Sequence, residues 1–170
     1  KIVAGNWKMN LTMDESSSLV NEVLNLIEDD IQVEVVFAVP SVYLYEINKI
    51  CHKFKNVNTA SQNISIHDEG PFTGEISAKM INSLNVRYSV LGHSERREHF
   101  KETNKLLIDK VNLSVKNDLE IIFCCGESLQ QRKNNEYFEW IKCQISESLF
   151  HLSEKEFEKV IIAYEPIWAI

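Results

Sequence analysis

Four polar residues stand where apolar segments of the chain end, and together they could move a proton between carbons. Glu165 closes the run Ala163-Tyr164-Glu165-Pro166, where Pro166 steers it away from helical backbone and leaves the carboxylate at an extended strand end. A carboxylate in that position is costly to bury unless it is paired or put to use. His93 follows Val90-Leu91-Gly92 and opens the charged stretch Ser94-Glu95-Arg96-Arg97. A helix start there gathers unpaired amide donors, and its dipole disfavours an imidazolium. Asn6 and Lys8 lie two apart at the end of Ile2-Val3-Ala4-Gly5-Asn6-Trp7-Lys8, so they share a strand face. Taken singly, Lys8 also reads as a solvent-reaching strand end and His93 as a structural histidine. As a set they combine a base, a neutral donor, a cation and an amide. Glu165 would take a proton beside a carbonyl, His93 would polarise the carbonyl oxygen, and Lys8 would offset the charge of a phosphorylated enediolate.

The elements that must position these residues are legible as alternating patterns. Short runs rich in Val, Ile, Phe and Tyr at residues 2–7, 33–39, 57–62, 87–91, 119–125 and 160–165 predict strands. Helical periodicity fills most of the gaps, and Thr12-Met13-Asp14-Glu15 and Ser153-Glu154-Lys155-Glu156 fit a capping box that starts a helix. Leu19, Val23 and Ile27 predict the apolar stripe of the first helix; Tyr137, Ile141, Ile145 and Leu149 predict that of a long helix after residue 134. Strands alternating with helices imply parallel pairing. The continuous apolar runs Val35 to Val39 and Val160 to Tyr164 suit strands covered on both faces. The fold class is therefore α/β, with a barrel and an open doubly wound sheet both compatible with the periodicity. None of the five glycines forms a GxGxxG or GxxxxGK cluster, which removes most support for a nucleotide-binding reading. Gly5, Gly92 and Gly126 instead sit near the carboxyl ends of predicted strands, where parallel α/β proteins bind ligands.

Composition narrows the partners. The 170 residues carry a formal charge of −7 and no run of Lys or Arg beyond Arg96-Arg97 and Arg132-Lys133, which argues against nucleic acid and anionic membrane. Cys51, Cys124, Cys125 and Cys143 have no CxxC spacing and no clustering with histidine, so no metal site is expected. Reduced thiols are the expectation, since adjacent Cys124 and Cys125 on a strand point to opposite faces. With neither the apolar core of a signal peptide at residues 1–6 nor a membrane-length apolar run, a cytoplasmic protein is expected.

The segments Gly5-Asn6-Trp7-Lys8-Met9-Asn10, Leu91-Gly92-His93-Ser94-Glu95-Arg96-Arg97 and Ala163-Tyr164-Glu165-Pro166-Ile167-Trp168-Ala169-Ile170 resemble three signatures of the triosephosphate isomerase family. Ser61-Gln62-Asn63 with Gly70-Pro71-Phe72-Thr73-Gly74-Glu75, and Cys124-Cys125-Gly126-Glu127 with Leu129 and Arg132, are similar to two more, in the family's order. The resemblance implies a TIM (β/α)8 barrel, of which about six βα units are present. It implies interconversion of dihydroxyacetone phosphate and D-glyceraldehyde 3-phosphate through an enediolate, in glycolysis and gluconeogenesis, without metal or cofactor. By resemblance Glu165 matches the base, His93 the electrophile, and Lys8 and Asn6 the substrate-binding pair. Glu95 and Cys124 match supporting positions. Thr73 matches the tip of a loop that inserts into the partner of a homodimer. Pro166, Ile167, Trp168, Ala169 and Ile170 match the opening half of a mobile lid that excludes water.

Pro71 departs from the smaller residue more usual before Phe-Thr-Gly-Glu, in a loop that is rigid anyway. The family's lid continues with Gly-Thr-Gly, and two further strand-helix units carry the phosphate-binding turns. Residues 1–170 are thus expected to form one barrel domain cut in the loop after the sixth strand, within a protein of about 250 residues. The inward side chains around Ala4 and Ile162 would then await neighbours. The alternative reading is a catalytically inactive chain acting only as an interaction module. Another phosphate-handling barrel enzyme is disfavoured by the joint specificity of the His-Ser-Glu-Arg-Arg and Tyr-Glu-Pro-x-Trp segments.

Overall fold

A computed structural model describes residues 1–28 and 31–170. The first half of the chain runs β1 (Ile2–Asn6), α1 (Met13–Leu26), β2 (Glu34–Val39), α2 (Leu44–Cys51), β3 (Val57–Ser61), α3 (Ala78–Ser83) and β4 (Tyr88–Leu91). It continues through α4 (Ser94–His99), α5 (Asn104–Lys116), β5 (Glu120–Cys125), α6 (Leu129–Lys133), α7 (Tyr137–Leu149), α8 (Glu154–Phe157) and β6 (Val160–Tyr164). The strands pair in parallel, each with the next in sequence, in the order β1-β2-β3-β4-β5-β6. That order separates the two architectures left open by periodicity. A doubly wound sheet reverses direction at a switch point, whereas sequential parallel pairing is the curl of a β/α barrel.

Strand alternation splits the core in two. Val36, Ala38, Ala60, Tyr88, Val90, Ile122 and Cys124 form the cluster inside the curl, with Ile161 and Ala163 against it. The intervening residues Phe37, Val39, Leu91, Ile121, Phe123 and Cys125 pack outward under the helices with Val20, Leu24, Ile47, Leu107 and Leu149. By this parity Ala4, in register with Val36, faces inward as expected, but Ile162 does not: it pairs with outward Phe123, and the inward residues of β6 are Ile161 and Ala163. The edge strands β1 and β6 are the open flanks of the sheet, with Val3 61% and Ile162 39% exposed.

The foot of the interior is closed by polar groups. Glu34 Oε1 accepts from Asn58 Nδ2 at 2.7 Å, Arg87 Nη1 at 2.8 Å and Tyr88 Oη at 2.7 Å. A carboxylate enclosed this way stays bonded while the apolar layers lie above it. The capping boxes form where expected. Glu15 accepts from the Thr12 amide at 2.8 Å, and Glu156 accepts from the Ser153 amide at 2.8 Å. The buried face of α1 is Ser16, Val20 and Leu24, with Val23 and Ile27 on its flank and Leu19 turned outward, so the predicted stripe lies off the true one. Buried Ser16 hides that face from a hydrophobicity pattern. Among the described residues no helix is long and apolar enough to cross a membrane.

Candidate active site

The carboxyl ends of the strands carry the chemistry-bearing residues, and parity decides which of them look inward. Glu165 follows inward Ala163 by two residues, and its amide donates to Cys125 O at 2.8 Å, which continues the strand pairing one step beyond β6. The neighbouring Gly126 is required by this approach. A β-carbon there would stand 1.9 Å from the Glu165 carbonyl oxygen, far inside contact distance.

His93 is placed by a turn. Gly92 adopts φ +73°, a conformation that side-chain-bearing residues rarely take, and a β-carbon on it would also crowd the Cys124 carbonyl at 3.1 Å. The chain thereby leaves β4 and enters α4 with His93 as the capping residue, buried at 5% exposure. Its Nδ1 accepts from the Glu95 amide at 3.3 Å. An Nδ1 used as acceptor assigns the ring proton of neutral imidazole to Nε2, and Nε2 is the atom that faces Glu165, 3.6 Å from Oε2. Arg97 steadies the turn from behind, donating from Nε to Gly92 O at 2.7 Å and from Nη1 to Asn104 Oδ1 at 2.7 Å.

Lys8 lies past the end of β1 with φ +54°, and its amide donates to Asn6 Oδ1 at 2.9 Å. Its ammonium reaches across to Glu95 Oε1 at 2.8 Å, and that bond is the main reason the Glu95 carboxyl lies below the usual carboxylate range. Glu95 Oε2 is also 3.6 Å from His93 Nδ1, so one carboxylate borders both the ammonium and the imidazole. Asn6, Lys8, His93, Glu95 and Glu165 are therefore one connected group drawn from β1, β4 and β6. Cys124 borders it from inside the curl. Burial, with the charge of Glu165 behind it, pushes its thiol up to about 12, which keeps the sulfur protonated and unreactive. A cavity of about 400 Å³ opens beside Glu165, walled by Gly92, Cys124, Gly126, Gln144 and Ile167 among others.

Beyond Pro166 the chain makes a single 3₁₀ turn, Ile167–Ala169, with residues 167–170 exposed. One residue for which sequence reasoning gave no role ties this segment down. Glu127 is fully buried, and accepts from Trp168 Nε1 at 3.0 Å and from Tyr164 Oη at 3.0 Å, while its carbonyl accepts from the Ile167 amide at 3.0 Å. An acid just past an apolar strand was the available signal, as it is for Glu165. Thr73 is exposed in the connection between β3 and α3 and is not part of the strand-end group.

Sequential parallel strands with ionisable residues gathered at their carboxyl ends define a β/α-barrel enzyme. The family model described as triosephosphate isomerase matches residues 1–170, and the chain belongs to that family. It is 48% identical over 172 residues to the triosephosphate isomerase of Cytophaga hutchinsonii, covering 100% of this chain and 68% of that protein. It is 43% identical over 169 residues to the Clostridium perfringens protein of the same name, with 99% and 67% covered. The Flavobacterium psychrophilum protein of that name is 38% identical over 171 residues, with 100% and 68% covered.

Proposed function

We propose that the protein interconverts dihydroxyacetone phosphate and D-glyceraldehyde 3-phosphate, with Glu165, His93 and Lys8 as the reacting set. The observation that carries this reading is the opposition of a carboxylate and an imidazole N–H, Glu165 Oε2 and His93 Nε2, 3.6 Å apart at the mouth of the curl. Such a gap is wider than a hydrogen bond and suits two groups that each address a substrate rather than each other.

In the forward direction Glu165 takes a proton from the carbon bearing the hydroxyl, and the electron pair moves to the carbonyl oxygen. Nε2–H of His93 donates to that oxygen as charge develops. The Lys8 ammonium, kept in place by Glu95, offsets the negative charge of phosphate and enediolate, and Asn6 shares the binding. His93 also relays the hydroxyl proton: Nε2 gives its proton to the oxygen that was the carbonyl and takes one from the neighbouring hydroxyl oxygen, and return of the proton from Glu165 to the adjacent carbon then leaves the new carbonyl and completes the isomerisation. A preorganised donor and cation lower the barrier because they need no rearrangement as the oxyanion forms.

Pro166 to Ile170 act as the opening part of a lid that excludes water, with Glu127 holding its root. The loop bearing Thr73 docks on a second copy in a homodimer, and the enzyme works in the cytoplasm. The interaction-module reading draws no support from any feature of the chain. An assay of the complete protein that follows conversion of dihydroxyacetone phosphate tests the activity; turnover no faster than the buffer reaction would refute it.

A further inference from the structure

Lys8 holds a backbone conformation that a lysine does not choose, at φ +54°, and something must hold it there. Its two peptide groups are both committed to side chains. The amide donates to Asn6 Oδ1 at 2.9 Å, and the carbonyl accepts from Gln62 Nε2 at 2.9 Å. The same Gln62 nitrogen donates to Ala38 O at 2.9 Å, the carbonyl that also accepts from the Trp7 amide at 3.0 Å. A carboxamide nitrogen carries two hydrogens, so both bonds can be full ones. Gln62 is the first residue past β3 and follows inward Ala60 by two, which aims it at this spot by strand parity. One side chain thus joins the ends of β1, β2 and β3, and it does so at the residue whose ammonium meets Glu95 at 2.8 Å.

We infer that Gln62 is a positioning residue for Lys8: its carboxamide locks the left-handed turn that carries the ammonium to the substrate. The inference rests on the role of Lys8 proposed above. Gln62 acts through the backbone and touches neither substrate nor reacting atoms. Without the carboxamide, the Lys8 carbonyl loses its partner, the turn relaxes toward an ordinary conformation, and the ammonium no longer starts from its bound position. Because Lys8 meets the substrate's charge before as well as during the reaction, the loss should fall on substrate binding, whereas general loosening of the fold would lower the active fraction and hence kcat.

The test is steady-state kinetics of Gln62→Met, similar in size but with no donor, beside Lys8→Met, both in the complete protein. We expect Gln62→Met to lower kcat/KM by about tenfold or more, carried by KM, with kcat within about threefold of the parent. Gln62→Asn keeps the amide but is too short to reach both carbonyls, so an intermediate rise in KM is expected; it serves also if Gln62→Met folds poorly. A kcat/KM within twofold of the parent for both Gln62 variants, or a loss carried by kcat at constant KM, overturns the inference. If Lys8→Met itself is kinetically silent, the role of Lys8 falls; if Lys8→Met is impaired and the Gln62 variants are not, only the role of Gln62 falls.

Discussion

The carbonyl oxygen of Glu165 lies 1.9 Å from where a β-carbon on Gly126 would be, so the ends of β5 and β6 approach as closely as backbone allows. Gly126→Ala must push Glu165 outward, since the obstacle is backbone and cannot rotate away. A displacement near 1 Å at the base costs about a hundredfold in rate. Overpacking adds about 1–3 kcal/mol of destabilisation. Kinetics and denaturant titration of the variant check both, and activity within a few-fold of the parent would show that the strand end can yield.

His93→Gln keeps a donor but loses the Nδ1 acceptor that orients the ring on the Glu95 amide. Removing a preorganised donor to a developing oxyanion costs about 10²–10³ in rate, so kcat should fall by that order while KM changes much less. Unchanged kcat would take His93 out of the reaction.

Glu127 supplies a pH-dependent prediction. Burial pushes its carboxyl up, but bonds from Trp168, its own amide and Tyr164, with Arg132 nearby, outweigh burial and leave it below the usual range. A folded value below the unfolded one, which is near 4.3, means that the stabilisation is present in full above that pH. It is lost as pH falls through the lowered value. Trp168 fluorescence, in a protein whose other tryptophans are replaced, should therefore be steady from pH 7 to about 5 and shift toward that of solvated indole only as pH falls through the lowered value. Glu127→Gln should show the solvated signal already at pH 7. A variant indistinguishable from the parent at both ends of the titration would contradict the tether.

Beneath the long loop, Glu102 Oε1 accepts from Arg96 Nε at 2.6 Å and from Lys110 Nζ, and Lys110 also donates to Asn63 Oδ1 at 2.6 Å. Glu102 and Lys110 are both almost fully buried. Glu102→Ala strands the Lys110 charge, and breaking a buried pair in this way costs about 3–5 kcal/mol. Urea unfolding measures it. A loss under about 1 kcal/mol would mean that water or a rearranged side chain replaces the carboxylate.

The connection between β3 and α3 is the longest in the chain, and within it His67 and Phe72 stack at 3.5 Å with Phe72 38% exposed. Long ordered loops in compact domains are usually functional. Sedimentation of the complete protein should give a dimer, and Thr73→Arg should shift it toward monomer. Monomer alone, at concentrations far above assay dilution, would overturn the dimer.

How much of this was legible in the sequence depends on the range of the interactions. The strand ends that present Asn6, His93 and Glu165 follow from local patterns of β-branched and apolar residues, and each observed strand lies within a residue or so of its predicted span. The capping boxes at Thr12 and Ser153 are local too. The buried face of α1 does not follow from its apolar pattern, because Ser16 is buried and Leu19 is not, a choice made by the packing partner and not by the helix. The Glu34, Arg87 and Tyr88 network joins residues more than 50 apart, which no pattern along the chain encodes. The same holds for Gln62 beneath Lys8 and for Glu127 beneath Trp168: their residue types were in view, but their partners are set by the curl of the sheet.

The central claim is that Glu165 carries the proton between the two carbons. It is tested most directly by running the complete enzyme in D₂O and reading deuterium at the receiving carbon of the product by NMR. The carboxylic acid formed at Glu165 can exchange its proton with solvent during the life of the enediolate. The account predicts solvent deuterium in a substantial part of the product, and loss of both turnover and incorporation in Glu165→Gln. Glu165→Gln retaining the parent's rate would contradict it.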